Sequence, residues 1–127
     1  MTDPIAQMVS IIKNGYLARK KELQIPYSKF KEEILDVLLK EGFLEKVKVE
    51  ESKRRFVVNL KYKERQPALS DIKLISKPGL RVYRKSKNLK RVLGGLGLRI
   101  VSTPSGVMTD SQAFKKKLGG EIILEVS

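Results

Sequence analysis

The chain has no cysteine and no histidine among its 127 residues. The first absence excludes a disulfide framework and thiolate metal sites, and it fits a cytosolic protein. The second removes the commonest general base near neutral pH. Ser and Thr nucleophiles would need a partner base, and no pair of Lys, Asp or Glu stands out by spacing. The acids read instead as helix caps and surface charges, so no enzyme, cofactor or metal is expected. No stretch approaches the roughly 20 apolar residues of a membrane span. Met1-Thr2-Asp3-Pro4 also lacks the basic and apolar regions of a signal peptide. Acids are scarce as well: 14 against 27 Lys and Arg, with a net charge of +13 and a pI near 10.0. Such a field attracts polyanions, because each neutralised phosphate releases a condensed counterion. Nucleic acid is therefore the expected partner.

What is present supports an ordered fold. Hydrophobic residues make up 41% and charged residues 32%, enough apolar surface to offset chain entropy. Asp3 and Pro4 open a helix whose buried face is Ile5, Met8, Val9, Ile12 and Tyr16, ending between Asn14 and Lys20. Leu23 to Pro26 is a short extended segment. Ser28 caps a second helix, with Phe30, Ile34, Val37 and Leu38 in one stripe and Gly42 as its terminator. Residues 43–50 and 55–62 predict a β-hairpin, the second strand alternating through Phe56, Val58, Leu60 and Tyr62. The fold class expected is α+β in two small lobes. The first, over 1–62, is α-β-α-β-β; a linker spans 63–70; the second, over 71–127, is mostly β with short helices.

In the second lobe, residues 72–75 predict a strand stopped by Lys77-Pro78-Gly79, a type II turn pattern. A strand follows over 80–83, a short helix over 88–93 ended by Gly94-Gly95, and a strand over 98–101. Thr109 or Asp110 caps a helix running through Leu118, ended by Gly119-Gly120, and a final strand covers 121–126. Residues 1–70 hold fifteen basic and ten acidic side chains, against twelve and four in 71–127. Nine Lys or Arg and no acid lie in 73–99.

Three local features bear on nucleic-acid binding. On a strand, Arg81, Tyr83 and Lys85 share a face and set an aromatic ring between two cations, which suits either a sugar-phosphate backbone with one contacted base or a tyrosine packed on the sheet between solvated neighbours. Ser102-Thr103-Pro104-Ser105-Gly106 reads by composition as an ordinary turn, or, in its basic surroundings, as a loop whose short hydroxyls can approach a base edge or a 2′-hydroxyl. Lys115, Lys116 and Lys117 serve equally as a helix-end cation cluster or a phosphate contact. Gly94-Gly95-Leu96-Gly97 lacks the Gly-Lys-Ser/Thr ending of a phosphate loop and reads as a helix stop. The alternative to an RNA-binding structural protein is a free-standing repressor. That would favour a dimer with a recognition helix, yet the two best helices spend their apolar faces on the core.

Taken together, these residues resemble the family of bacterial small-subunit ribosomal protein eight. The motifs run in order through the chain: Met1-Thr2-Asp3-Pro4-Ile5-Ala6, Ile25-Pro26-Tyr27-Ser28-Lys29, Glu41-Gly42-Phe43, and Ile75-Ser76-Lys77-Pro78-Gly79-Leu80-Arg81-Val82-Tyr83. Gly95-Leu96-Gly97, Ser102-Thr103, Gly106-Val107-Met108-Thr109-Asp110 and Leu118-Gly119-Gly120-Glu121 complete them. The resemblance implies a cytoplasmic structural constituent of the small ribosomal subunit, monomeric within the ribosome and beside other small-subunit proteins. It implies direct binding to the central domain of 16S rRNA, support of subunit assembly, and repression of its own mRNA. RNA contacts are implied at Ser102, Thr103, Ser105, Gly106, Tyr83, Gly119, Gly120 and Glu121, with Ser28 and Lys29 as an additional backbone contact. Arg81, Lys85 and Lys87 are expected to hold the RNA backbone. Pro104 departs from the family loop, which resembles Ser-Thr-Ser-Lys/Gln-Gly, because it lacks both a hydroxyl and an N–H.

Overall fold

The computed structural model describes residues 3–89 and 97–127 and divides the chain into two compact units, Met1–Ser70 and Asp71–Ser127. The first unit opens with helix α1, Pro4–Leu17. The Asp3 carboxylate accepts from the Ile5 N–H at 3.0 Å, satisfying an amide that has no partner within the helix. Strand β1, Glu22–Pro26, leads to helix α2, Lys29–Lys40, capped by the Ser28 hydroxyl. Glu32 in its first turn and Lys40 in its last suit the helix dipole. Strands β2, Leu44–Glu50, and β3, Arg55–Leu60, form the expected hairpin, joined by a 3-10 turn at Glu51–Lys53.

The sheet order is β1-β3-β2, antiparallel throughout. The central strand β3 buries Phe56, Val58 and Leu60 in strict alternation, so this face meets the helices. Residues 63–70, read from sequence as a linker, include part of a second small hairpin. Its strands are β4, Tyr62–Lys63, and β5, Gln66–Pro67, with Glu64 and Arg65 at positive φ between them.

Among the described residues, the second unit is a mixed-length antiparallel sheet with one short helix. Its strands are β6, Ile72–Leu74; β7, Tyr83–Arg84; β8, Leu98–Thr103; β9, Gly106–Thr109; and β10, Gly120–Val126. Strand β10 is central. It pairs with β8 along one side, and with β6 and β7 in succession along the other. Helix α3, Asp110–Lys115, starts at a capping box between Thr109 and Gln112. One sheet face packs Val101, Met108 and Ile122 with Leu89 and Ala113; Ile75, Val82 and Leu118 close this cluster.

Three expectations change here. In place of the strand expected over 80–83, the strand paired with β10 is the two-residue β7, Tyr83–Arg84. Helix α3 ends at Lys115 instead of Leu118, because Lys117 takes the left-handed conformation at φ 59° and the Leu118 N–H bonds back to Ala113. Strand β8 continues through Thr103, so the loop expected over 102–106 is a tight hairpin turn. A 3-10 turn covers Ser86–Asn88, while residues 90–93 of the helix expected over 88–93 and Gly94-Gly95-Leu96 lie outside the described residues.

Candidate nucleic-acid interface

The sheet register of the second unit brings several of the expected residues into one row. Tyr83 on β7 lies opposite Glu121 on β10, Glu121 lies opposite Ser102 on β8, and Ser102 lies opposite Val107 on β9. Directly opposed residues point to the same sheet face. At this level the reverse face carries Val101, Met108 and Ile122, so the row is the side away from that core. Tyr83 is 63% exposed and Ser102 half-buried. Among the described residues, the Ser102 hydroxyl makes no hydrogen bond within the protein.

Two glycines make this row possible. A Cβ on Gly120 would stand 2.2 Å from the Ser102 carbonyl oxygen, and one on Gly119 would stand 2.8 Å from that of Arg84. Strands β7 and β8 can therefore flank β10 closely only if those positions carry no side chain. Their expected role as a helix stop is replaced by this one, since Lys117 already turns the chain.

Glu121 sits in the middle of the row with its Oε2 sealed from solvent and without a hydrogen bond among the described residues. The Arg81 guanidinium approaches that oxygen at 3.5 Å, near enough for attraction but outside hydrogen-bond geometry. Arg81 is thus tied back toward β10. Lys85 and Lys87 are exposed just beyond β7, at the 3-10 turn. The three residues expected on one strand face are consequently not presented as one: pairing stops at Arg84, and Lys85 has left the strand.

Thr103 differs from its neighbours. Its hydroxyl accepts from the Ser105 N–H at 3.1 Å and donates to the Gly106 carbonyl at 2.8 Å, and the residue is buried. It shapes the turn that exposes Pro104 and Ser105. Gly106, at φ 116°, closes it. In the first unit, the Ser28 hydroxyl is occupied as the α2 cap, accepting from the Lys31 N–H at 3.2 Å, while Lys29 is exposed beside it.

Sequence reasoning passed over Arg84, which is exposed next to Tyr83 and donates to the Tyr83 carbonyl at 2.8 Å. Alternation groups Arg81, Tyr83 and Lys85 and leaves Arg84 out, but a two-residue strand is too short to impose alternation on its ends. A depression of about 550 Å³ in the first unit is lined by Tyr27, Glu32, Val49, Glu51 and Arg54. Two carboxylates against one guanidinium make it a poor seat for a polyanion. Among the described residues, no group of three Asp or Glu could hold a metal ion, and no helix is long and apolar enough to cross a membrane.

Fold and composition define the class: a small, strongly basic α+β protein of two units, whose second unit exposes cations, an aromatic ring and a hydroxyl on one sheet. Comparison with known proteins narrows that class. The family model described as ribosomal protein S8 matches residues 3–127. Proteins named small ribosomal subunit protein uS8 are similar along their length: 46% identical in Wigglesworthia glossinidia brevipalpis and 50% in Caldanaerobacter subterraneus, each over 99% of this chain and 98% of the relative. That of Salinispora arenicola is 48% identical over 97% and 96%. The chain belongs to the ribosomal protein S8 family. It is accordingly a structural protein of the small ribosomal subunit in the cytoplasm, not an enzyme.

Proposed function

We propose that this protein binds the central domain of small-subunit ribosomal RNA directly through its second unit and so supports subunit assembly. The observation carrying this reading is the row Tyr83–Glu121–Ser102 beside an acid-free basic run over 73–99. Lys85 and Lys87 supply phosphate contacts without sequence information. Tyr83 offers a ring for stacking or edge contact with an unstacked base, and the Ser102 and Ser105 hydroxyls are short groups able to reach a base edge or a 2′-hydroxyl. Thr103, Gly106, Gly119 and Gly120 act by shaping the surface. Glu121 holds Arg81 and presents an acceptor that repels phosphate but suits an exocyclic amine. Ser28 and Lys29 at the start of α2 provide a further backbone contact, in which Lys29 is the available donor.

The same surface would accept a messenger segment folded like the ribosomal site, which would make the protein a repressor of its own translation. The test is titration of the full chain with an irregular rRNA helix from the central domain and with a regular duplex of equal length. Tight binding to the first and much weaker binding to the second is expected. Tyr83→Ala and Ser102→Ala should each cost about 1–3 kcal/mol on the irregular helix alone. Equal binding to both RNAs by the wild type would defeat the reading.

A further inference from the structure

The chain between β6 and β7 leaves the sheet and returns as a short stub. Both of its legs are pinned to β10: the Ile75 N–H donates to the Ile123 carbonyl at 2.9 Å, and the Ile122 N–H to the Val82 carbonyl at 2.8 Å. The buried Ser76 hydroxyl ties the legs together by accepting from the Val82 N–H at 3.0 Å. At the tip, Lys77 and Leu80 exchange two backbone hydrogen bonds, of 3.0 and 2.9 Å, across Pro78 and Gly79. Proline fixes φ at the first central position, and Gly79, at φ 81°, supplies the left-handed one. The stub is therefore ordered before any partner arrives.

What it carries is Leu80, 64% exposed. A lone exposed leucine ordinarily needs no explanation. This one stands on a rigid tip, between Lys77 and Arg81, in the part of the chain that has no acid. The tip thus combines an apolar side chain with a polyanion-attracting setting, and Arg81 joins it to the row through Glu121.

We propose that Leu80 is a specificity residue for RNA: it packs on the face of an unstacked base or its ribose while Lys77 meets an adjoining phosphate. Such a contact is available only where the helix is irregular, since a regular A-form duplex keeps its base faces stacked. The cations attract any RNA, and the leucine rewards only RNA with an open base face. Because the stub is preorganised, little ordering entropy opposes the contact. This inference rests on the RNA-binding reading above and names a further residue within it.

The test is binding of the full-length chain and its variants to the irregular central-domain helix and to the regular duplex, over a range of salt. Leu80→Ala should weaken binding to the irregular helix about tenfold, as expected for loss of a buried leucine side chain. Duplex affinity and the salt slope should stay as in the wild type, since no phosphate contact is removed. Gly79→Ala, which strains the turn while keeping Leu80, should reproduce part of the loss. Unchanged selectivity in Leu80→Ala, with the wild type still preferring the irregular helix, would overturn this inference and leave the reading above intact. Loss of binding to a purified small-subunit protein, with RNA binding unaffected, would also overturn it. Failure of the wild type to bind RNA would strike the broader reading instead.

Discussion

Tyr16 joins three segments of the first unit through one side chain. Its hydroxyl donates to the Phe43 carbonyl and accepts from the Lys61 N–H at 3.2 Å, while its ring meets Tyr62 edge-on at 5.6 Å. Burial pushes its pKa above the ordinary tyrosine value, partly offset by the Lys61 hydrogen bond. The folded state therefore holds this proton more tightly than the unfolded chain. That stability is fully present below about pH 10 and is lost as pH rises through the raised folded value. Tyr16→Phe should cost about 2 kcal/mol near neutral pH, by leaving two backbone groups unpaired. In urea unfolding, its deficit against wild type should narrow above about pH 10. Lys31 has the opposite sense. It is 4% exposed, with Nζ at 3.2 Å from the Pro26 carbonyl, and burial lowers its pKa. Its charge therefore destabilises the fold at neutral pH, and the penalty fades as pH rises from the lowered value toward about 10.4. Lys31→Met should stabilise the protein by about 1 kcal/mol near pH 7, with a smaller gain in alkali. Unfolding curves at the two pH values check both.

At the scale of elements, glycine positions separate into two kinds. A Cβ at Gly15 in α1 would stand 2.6 Å from Leu23 Cδ2, the movable end of a side chain on β1. Gly15→Ala should cost about 1 kcal/mol as Leu23 repacks. A Cβ at Gly120 would meet the Ser102 backbone, which cannot yield without separating β8 from β10. Gly120→Ala should therefore cost about 3 kcal/mol or more, and denaturant midpoints of the two variants would show the difference. The turn between β8 and β9 depends on a single hydroxyl in the same way. Thr103→Ser keeps both bonds to Ser105 and Gly106, whereas Thr103→Val loses them with little change of shape. RNA selectivity should survive the first substitution and fall in the second, measured by titration with the irregular helix. A base contact by the Thr103 hydroxyl itself would need the group to be free, and it is already committed to the turn.

For the whole molecule, +13 of net charge sets attraction, and its placement sets where attraction acts. Removing both Lys85 and Lys87 should weaken binding to irregular and regular RNA alike. It should also lower the slope of log affinity against log salt by about two, roughly one per phosphate contact. A salt titration of that double variant reads the difference directly. Binding that lost selectivity but kept its slope would mean that these lysines are not phosphate contacts.

The class of fold and the elements with strong local signals are legible in the chain alone. Asp3, Pro4 and Ser28 place helix starts because a cap is a local hydrogen bond, and Phe56, Val58 and Leu60 place a strand because alternation is local too. Pro78-Gly79 places its turn for the same reason. The tertiary structure alone decided what non-local register controls. Tyr83, Glu121 and Ser102 come from three separated strands, and only their pairing through β10 makes them one row. Gly119 and Gly120 read as a helix stop until the flanking backbones leave no room for a side chain. Thr103 reads as a free hydroxyl until the turn engages it. Charge and periodicity belong to the chain, whereas proximity belongs to the fold.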